Sequence, residues 1–213
     1  MLTKKIFAII VSFCFLTMAA STVLAAPSLN GPTGMIHTPT ADVPQAFSAG
    51  IYHLDEAKTG TLNMTLLPRL EVGATRWNPD LGDDTTAFHA KWGFMPETAM
   101  TPGLAVGVED IGDEYERSPY IVASKALPLG FRVHAGTGGG RFKDKVFASL
   151  ETTINPVGVV TGDSVFPATT LIAEYDGEDT NFAVRLSILP GLKAEAGWRG
   201  LDDSSYYGLS FTY

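Results

Sequence analysis

Apolar residues recur at every second position in a long series of short segments, and this alternation constrains the fold more than any other feature. In NFAVRLSI (181–188), for example, Phe, Val, Leu and Ile alternate with residues that include Arg185. A period of two places alternate side chains on opposite faces of a β-strand. About twelve such segments follow one another from Phe47 to the end of the chain, so the sequence predicts an all-β fold.

The connections between these segments also alternate. Short turns containing proline occur at 67–68, 95–102, 127–128 and 189–191. Between them come polar, mostly acidic loops at 54–60, 78–84, 111–118, 138–144, 176–179 and 200–205. Successive connections of an up-and-down meander lie at opposite ends of its strands. We therefore expect the proline turns at one rim and the acidic loops at the other. The long connection 155–168 has no register that this pattern defines.

The two faces of the segments differ sharply in charge. One face is built from Phe, Val, Leu, Ala and Trp, and the other carries the candidate lumen charges Arg69, Glu71, Lys91, Glu109, Arg132, Arg185, Lys193 and Glu195. Aromatic residues expected near strand ends are Trp77, Trp92, Phe94, Tyr120, Tyr175, Trp198 and Tyr207. Many segments are long enough to span a bilayer as tilted strands. These features favour an antiparallel up-and-down transmembrane β-barrel of about 12 strands. The alternative is a soluble secreted β-sandwich that binds carbohydrate.

The last ten residues, SSYYGLSFTY, form an aromatic ladder at alternate positions. The ladder consists of Tyr207, Leu209, Phe211 and Tyr213. An open edge strand cannot lie in lipid, so the last strand must close on the first. A terminal strand of this kind resembles the signal that the outer-membrane assembly machinery recognises. We therefore expect this machinery and outer-membrane lipid as partners.

Residues 1–25 have the three parts of a secretory signal peptide. Lys4 and Lys5 precede a short apolar run, and small residues lead to a cleavage site near Ala25. An uncleaved anchor is the alternative, although the run is short for a spanning helix. Cleavage would remove Cys14, the only cysteine, and would leave 13 of the 15 basic residues against 23 acidic ones, a net charge of −10. Such a charge argues against nucleic acid as a partner.

Residues 26–46 do not alternate and are predicted to form a separate N-terminal segment, a tether or plug, ahead of a barrel at 47–213. The stretch SLNGPTGMIHTPTADV (28–43) closely resembles the opening signature of the YjbH family. The matching residues are Asn30, Gly31, Thr33, Gly34, Ile36, Pro39, Thr40 and Ala41. The resemblance implies an outer-membrane β-barrel tied to exopolysaccharide production or export, with polysaccharide as a partner and no catalytic residues. Ligand binding by 28–43 is the alternative to a tether or plug.

No motif indicates an enzyme, a cofactor or a metal centre. GTGGGRFKD (136–144) lacks the Gly-Lys-Ser/Thr of a phosphate loop and is interpreted as a flexible external loop. His89 and His134 share the charged face, but no nucleophile or carboxylate spacing accompanies them. The acidic loops do not match a calcium-binding loop. The mixed charges of the inner face are compatible with a narrow pore or with a lumen filled by paired side chains.

Overall fold

The computed structural model describes residues 26–154, 167–200 and 204–213, in which twelve antiparallel strands form one closed barrel. The strands are β1 (Phe47–Leu54), β2 (Ala57–Leu67), β3 (Leu70–Pro79), β4 (Thr85–Met95), β5 (Gly103–Glu109), β6 (Ser118–Ala126), β7 (Phe131–Gly138), β8 (Val146–Ile154), β9 (Thr169–Tyr175), β10 (Thr180–Leu189), β11 (Leu192–Arg199) and β12 (Ser204–Thr212). Short 3-10 turns lie at Pro128–Gly130 and Gly140–Phe142. The predicted signal peptide 1–25, the connection at 155–166 and residues 201–203 lie outside the described residues. The described residues contain no helix long and apolar enough to cross a membrane.

Each strand pairs with its neighbours in chain order, and β1 closes the barrel against β12. Their register aligns Ile51 with Leu209 and Ser48 with Thr212. The predicted fold class is therefore confirmed. A β-sandwich needs two sheets facing each other, so the single closed sheet overturns that alternative.

The chain enters β1 and leaves β12 at the same rim. This rim also carries the turns β2–β3, β4–β5, β6–β7 and β10–β11, and we call it the proline rim. Connections β1–β2, β3–β4, β5–β6, β7–β8 and β9–β10 lie at the opposite end, which we call the acidic rim. The alternation of proline turns and acidic loops along the sequence thus predicted their separation in space.

The outer face of the barrel is apolar and the inner face is polar. Phe88 is 58% exposed and Trp198 59% exposed, both pointing outward, whereas the inward Glu71 is 0% exposed and Lys91 1%. This is the reverse of a soluble protein, in which charged side chains are almost never fully buried unless paired. A continuous apolar outer surface around a polar interior is what a barrel needs to lie in lipid.

Tyr120 corrects one sequence expectation, because it does not lie at the outer interface. Its ring is buried inside the barrel and meets Phe142 edge-on, with ring centroids 6.0 Å apart. Tyr120 pairs with Gly107 on β5 and Gly138 on β7. A Cβ built on Gly107 would come within 2.4 Å of the Tyr120 ring. The two glycines therefore make room for an inward aromatic side chain.

Candidate functional site: the barrel interior

Most of the N-terminal segment 26–46 lies inside the barrel, and its last two residues are exposed. Leu29, Met35 and Ile36 are buried, and two short bridges, Pro27 to Thr33 and Gly34 to Pro39, fold the segment back on itself. The Leu29 N–H also donates to the Ile36 carbonyl at 2.8 Å. The segment therefore crosses the lumen as a compact loop with internal backbone pairing.

The Glu174 carboxylate on β9 binds the backbone of this segment at one turn. It accepts the N–H groups of Ile36 at 3.0 Å, His37 at 2.9 Å and Thr38 at 2.9 Å. The Thr38 hydroxyl donates to it at 2.7 Å, and Asn181 on β10 donates at 3.0 Å. Hydrogen bonds to an ionised acceptor are about twice as strong as neutral ones. Glu174 is therefore the most densely bonded wall contact of the segment among those described.

Glu71 and Lys91 hold a second point of the segment. Glu71 accepts the Thr33 N–H at 2.8 Å and also the Thr33 hydroxyl. Lys91 Nζ donates to the Thr33 carbonyl at 2.7 Å and lies 3.3 Å from Glu71 Oε2. Both charged side chains are fully buried. Because an unpaired buried charge is costly, Glu71, Lys91 and Thr33 each depend on the other two.

Uncharged wall residues satisfy carbonyl groups of the segment. The Tyr52 hydroxyl donates to the Pro27 carbonyl at 2.7 Å, and Asn63 Nδ2 donates to the Gly31 carbonyl at 2.8 Å. His89 Nε2 lies 2.7 Å from Asn63 Oδ1, so this ring supports the amide. Inward threonines on β2 and β3 add longer bonds to the same stretch of backbone. These buried backbone carbonyl groups of an irregular segment thus have the hydrogen-bond donors that they require.

At the acidic rim, the β7–β8 loop folds inward over the segment. Arg141 donates to the His37 carbonyl at 2.6 Å and to Glu109 at 2.5 and 3.0 Å. Phe142 is buried, and its ring centroid lies 4.7 Å from that of Phe147. The sequence-based interpretation placed GTGGGRFKD outside the barrel, and this external position is wrong. Its glycines let the loop turn sharply, as at Gly140 with φ of 60°, so that Arg141 reaches the lumen.

His37 is the titratable group of the segment nearest this loop. Burial, together with the smaller effect of the neighbouring Arg141 guanidinium, lowers the pKa of His37 to about 3. The imidazole is therefore neutral at ordinary pH. A neutral ring is compatible with this position because the positively charged Arg141 guanidinium lies nearby.

At the proline rim, Arg132 and Ser124 hold the end of the segment that leads into β1. Arg132 lies 2.8 Å from Asp42 and 2.9 Å from Glu97 in the β4–β5 connection. The Ala41 N–H donates to Ser124 Oγ at 2.8 Å, and Ser124 Oγ lies 2.7 Å from His134 Nδ1. The segment is thus held at both rims and along its length.

The eight candidate lumen charges do not all lie at the same kind of position in the structure. Glu71, Lys91, Glu109 and Arg132 surround the N-terminal segment as described above. Arg185 pairs with Glu195 and reaches toward the Met35 carbonyl at 3.4 Å, and Lys193 is buried on the neighbouring strand. Arg69 lies instead in the β2–β3 turn with φ of 64° and donates to the Gly93 and Met95 carbonyls.

Several contacts were not assigned from the sequence. They involve Glu174, Tyr52, Asn63, Ser124 and Arg141. Glu174 and Asn63 do stand on the polar side of the alternation, which is the one signal that could have found them. Their partners lie far away in sequence, 136 residues in the case of Glu174 and Thr38, so spacing alone could not pair them.

The predicted assembly residues lie on the last strand, except Tyr213, which directly follows it. Tyr207 is 61% exposed and Tyr213 65% exposed, and Leu209 also points outward. Phe211 stacks at a tilt against Phe47, with ring centroids 5.7 Å apart. The Tyr213 carbonyl accepts the Ala46 N–H at 2.8 Å. The aromatic ladder thus faces outward at the seam where the barrel closes.

Fold and interior together define a class of protein: a closed twelve-stranded β-barrel, in the described residues, whose lumen holds its own N-terminal segment. A family model described as "Exopolysaccharide biosynthesis protein YbjH" matches residues 28–156, and the chain belongs to this YjbH family. The match begins within the segment that fills the lumen and extends through β8.

Two solved structures are similar to the chain. One is a KdgM porin, with 10% identity, a TM-score of 0.49, and coverage of 78% of this chain and 98% of that one. The other is a KdgM porin in complex with disordered oligogalacturonate, with 9% identity, a TM-score of 0.48 and the same coverage. A comparison with curated proteins gave no significant match.

Proposed function

We propose that this protein is an outer-membrane β-barrel that residues 26–46 hold closed as a plug, and that it serves exopolysaccharide production or export in a structural or transport role. The proposed role is non-catalytic. The observation that carries the proposal is the seating of the N-terminal segment on Glu71 and Glu174 inside the closed barrel. The link to exopolysaccharide comes from the description of the family.

The location in the outer membrane is supported by the surface of the barrel. The outward side chains are apolar, and the aromatic ladder of β12 lies at the closing seam. In this proposal residues 1–25 are a signal peptide removed near Ala25, and 47–213 form the membrane domain. Both chain ends of that domain then lie on the proline rim, which faces the periplasm, and the acidic rim faces outward.

The plug decides how the barrel could act in transport. Charged groups at both rims and along the lumen contact the segment, so in this proposal a hydrated polysaccharide strand would have to displace it. Transport of a polymer then requires release of the plug from the proline rim, where the segment joins β1. A structural role in an envelope assembly requires no release.

The first experiment tests the barrel and the plug in the same preparation. We expect the refolded chain to migrate differently in gels before and after boiling, and we expect the cellular protein to fractionate with outer membranes. In planar bilayers the wild-type barrel should conduct little, and a variant lacking residues 26–43 should conduct in discrete steps. A soluble protein without a mobility shift would refute the membrane location, and equal conductance of the two chains would refute the plug.

A further inference from the structure

The outer wall of the barrel carries a depression on the side where β1, β2 and β3 meet β11 and β12. Its volume is about 540 Å³, within the range of roughly 300–1,000 Å³ common for ligand pockets. Small outward residues form its floor, namely Ala49, Gly60 and Ala74, and Ile51, Leu62 and Leu209 rise around them. The depression exists because three neighbouring strands carry small residues where most outward positions carry large apolar ones.

Two cations stand at the end of this depression that points toward the acidic rim. Arg76 on β3 lines the depression and pairs in register with Gly60. Lys58 lies on the same outer face of β2, two residues before Gly60. Lys58 and Arg76 are diagonal neighbours across the two strands, a spacing that long side chains can span. The outer wall therefore presents two positively charged side chains at the acidic-rim end of an apolar hollow.

The two cations differ in how they are held. Arg76 lies 2.6 Å from Asp84 in the β3–β4 loop, and its side chain is 65% exposed. The Arg76 guanidinium holds the pKa of Asp84 below its usual range, so the pair stays ionised at neutral pH. Lys58 makes no hydrogen bond or ion pair in the part of the chain that the structure describes. Its charge is therefore available to an external anion.

We propose that this depression binds the phosphorylated glycolipid of the outer leaflet, with one acyl chain in the apolar hollow and a phosphate against Lys58 and Arg76. The inference rests on the proposed function, because it needs the acidic rim to face the cell exterior. Charge complementarity selects the occupant. The loops of this rim are mostly acidic, so these outward cations are the local feature that favours an anionic headgroup over a zwitterionic one.

The test uses native mass spectrometry of the refolded chain in detergent containing lipid A. We expect wild type to retain lipid A, and we expect Lys58→Glu together with Arg76→Glu to reduce retention about tenfold or more, since charge-assisted contacts are lost. Gly60→Leu should also reduce retention by filling the hollow. Within the part of the chain that the structure describes, a Cβ at Gly60 would meet only Ile51 Cγ2, at 4.0 Å, so this variant is expected to fold.

Matched controls place the same changes elsewhere. Ala148→Leu enlarges an outward residue on β8, across the barrel, and Lys145→Glu reverses a charge at the acidic rim. Both should retain lipid A as wild type does, and phosphatidylethanolamine should be retained weakly by every variant. Equal retention of lipid A by wild type, the charge-reversed chain and Gly60→Leu would overturn the proposal. If wild type forms dimers without lipid and Gly60→Leu abolishes them, the depression binds a second copy of the chain, and the proposal is overturned.

The failure of this inference can be told apart from the failure of the proposed function. Every variant is also examined for its mobility in gels before and after boiling. A shift in gel mobility without selective retention of lipid A would refute the lipid site alone. Absence of the shift in wild type sinks the membrane barrel on which the site rests.

Discussion

Glu174→Gln should release the N-terminal segment from the lumen. The carboxylate accepts three backbone N–H groups and one hydroxyl from residues 36–38. Glutamine keeps the shape but removes the charge, and its amide group turns a donor toward these donors. A hydrogen bond to a charged group contributes about 1.5–3 kcal/mol against about 1 kcal/mol for a neutral one, so loss of the charge across these four bonds is expected to cost about 3 kcal/mol in total. Because the segment stays tethered to β1, we expect this cost to appear as local release rather than as loss of the barrel.

The release can be measured by cysteine labelling. Ser28→Cys, in a background with Cys14→Ser, places a single thiol at a buried position whose hydroxyl has no hydrogen-bond partner among the described residues. Labelling by a maleimide then reports the open fraction of the segment. A cost of about 3 kcal/mol or more corresponds to at least roughly a hundredfold faster labelling in Glu174→Gln.

A second acid on the acidic rim provides the control. Glu178 pairs with Lys143 at 2.7 Å, but both side chains are about half exposed. Surface pairs contribute little to stability, so Glu178→Gln should label at the wild-type rate. If Glu174→Gln and Glu178→Gln label alike, then Glu174 does not hold the segment and the reasoning is refuted.

Three further predictions concern other parts of the chain. Leu186→Arg, on the outer face of β10, should destabilise the barrel by about 2–4 kcal/mol in lipid, and Ser187→Arg on the inner face should cost less; equal urea midpoints would mean that the faces are misassigned. Deletion of residues 211–213 should block membrane assembly, which fractionation would reveal, and normal insertion would contradict the terminal signal. The pKa of His37 is about 3 when the segment is seated and near its ordinary 6.5 when released, so release takes up a proton and the seat weakens as pH falls below about 6.5. The loss is at most about 1.4 kcal/mol per pH unit, and less because the ring is partly exposed; conductance that rises between pH 6.5 and 5 in wild type but equally in His37→Gln would contradict it.

The strand pattern was predictable because it depends on local chemistry. Alternation fixes which face of a strand a residue occupies, and turn composition fixes where each strand ends. From these two facts the barrel, its two rims and the inward position of residues such as Lys91 follow. The outward position expected for Tyr120 failed because the small residues that admit its ring stand on neighbouring strands, and a single strand does not show them.

The occupant of the lumen was less predictable. The sequence left open a pore and a filled interior because mixed charges suit both. In the structure Glu174 accepts N–H groups of the N-terminal segment, and Glu71 accepts the Thr33 N–H as well as pairing with Lys91 on the neighbouring strand. Backbone N–H groups are the same in nearly every residue type. The sequence of residues 28–43 therefore did not identify these groups as the partners of Glu71 and Glu174.

The family signature gains a physical reading from this arrangement. Gly31 has φ of 118°, and a Cβ there would lie 2.1 Å from Thr75 Oγ1. A Cβ on Gly34 would lie 2.2 Å from the Thr38 carbonyl oxygen. Both positions therefore require glycine if the chain is to fold back inside the barrel and aim its N–H groups at Glu71 and Glu174. The signature then specifies the backbone path of a plug, with few of its side chains left to recognise a ligand. Alanine at Gly31 should release the segment as Glu174→Gln does, and the same thiol at position 28 would measure it.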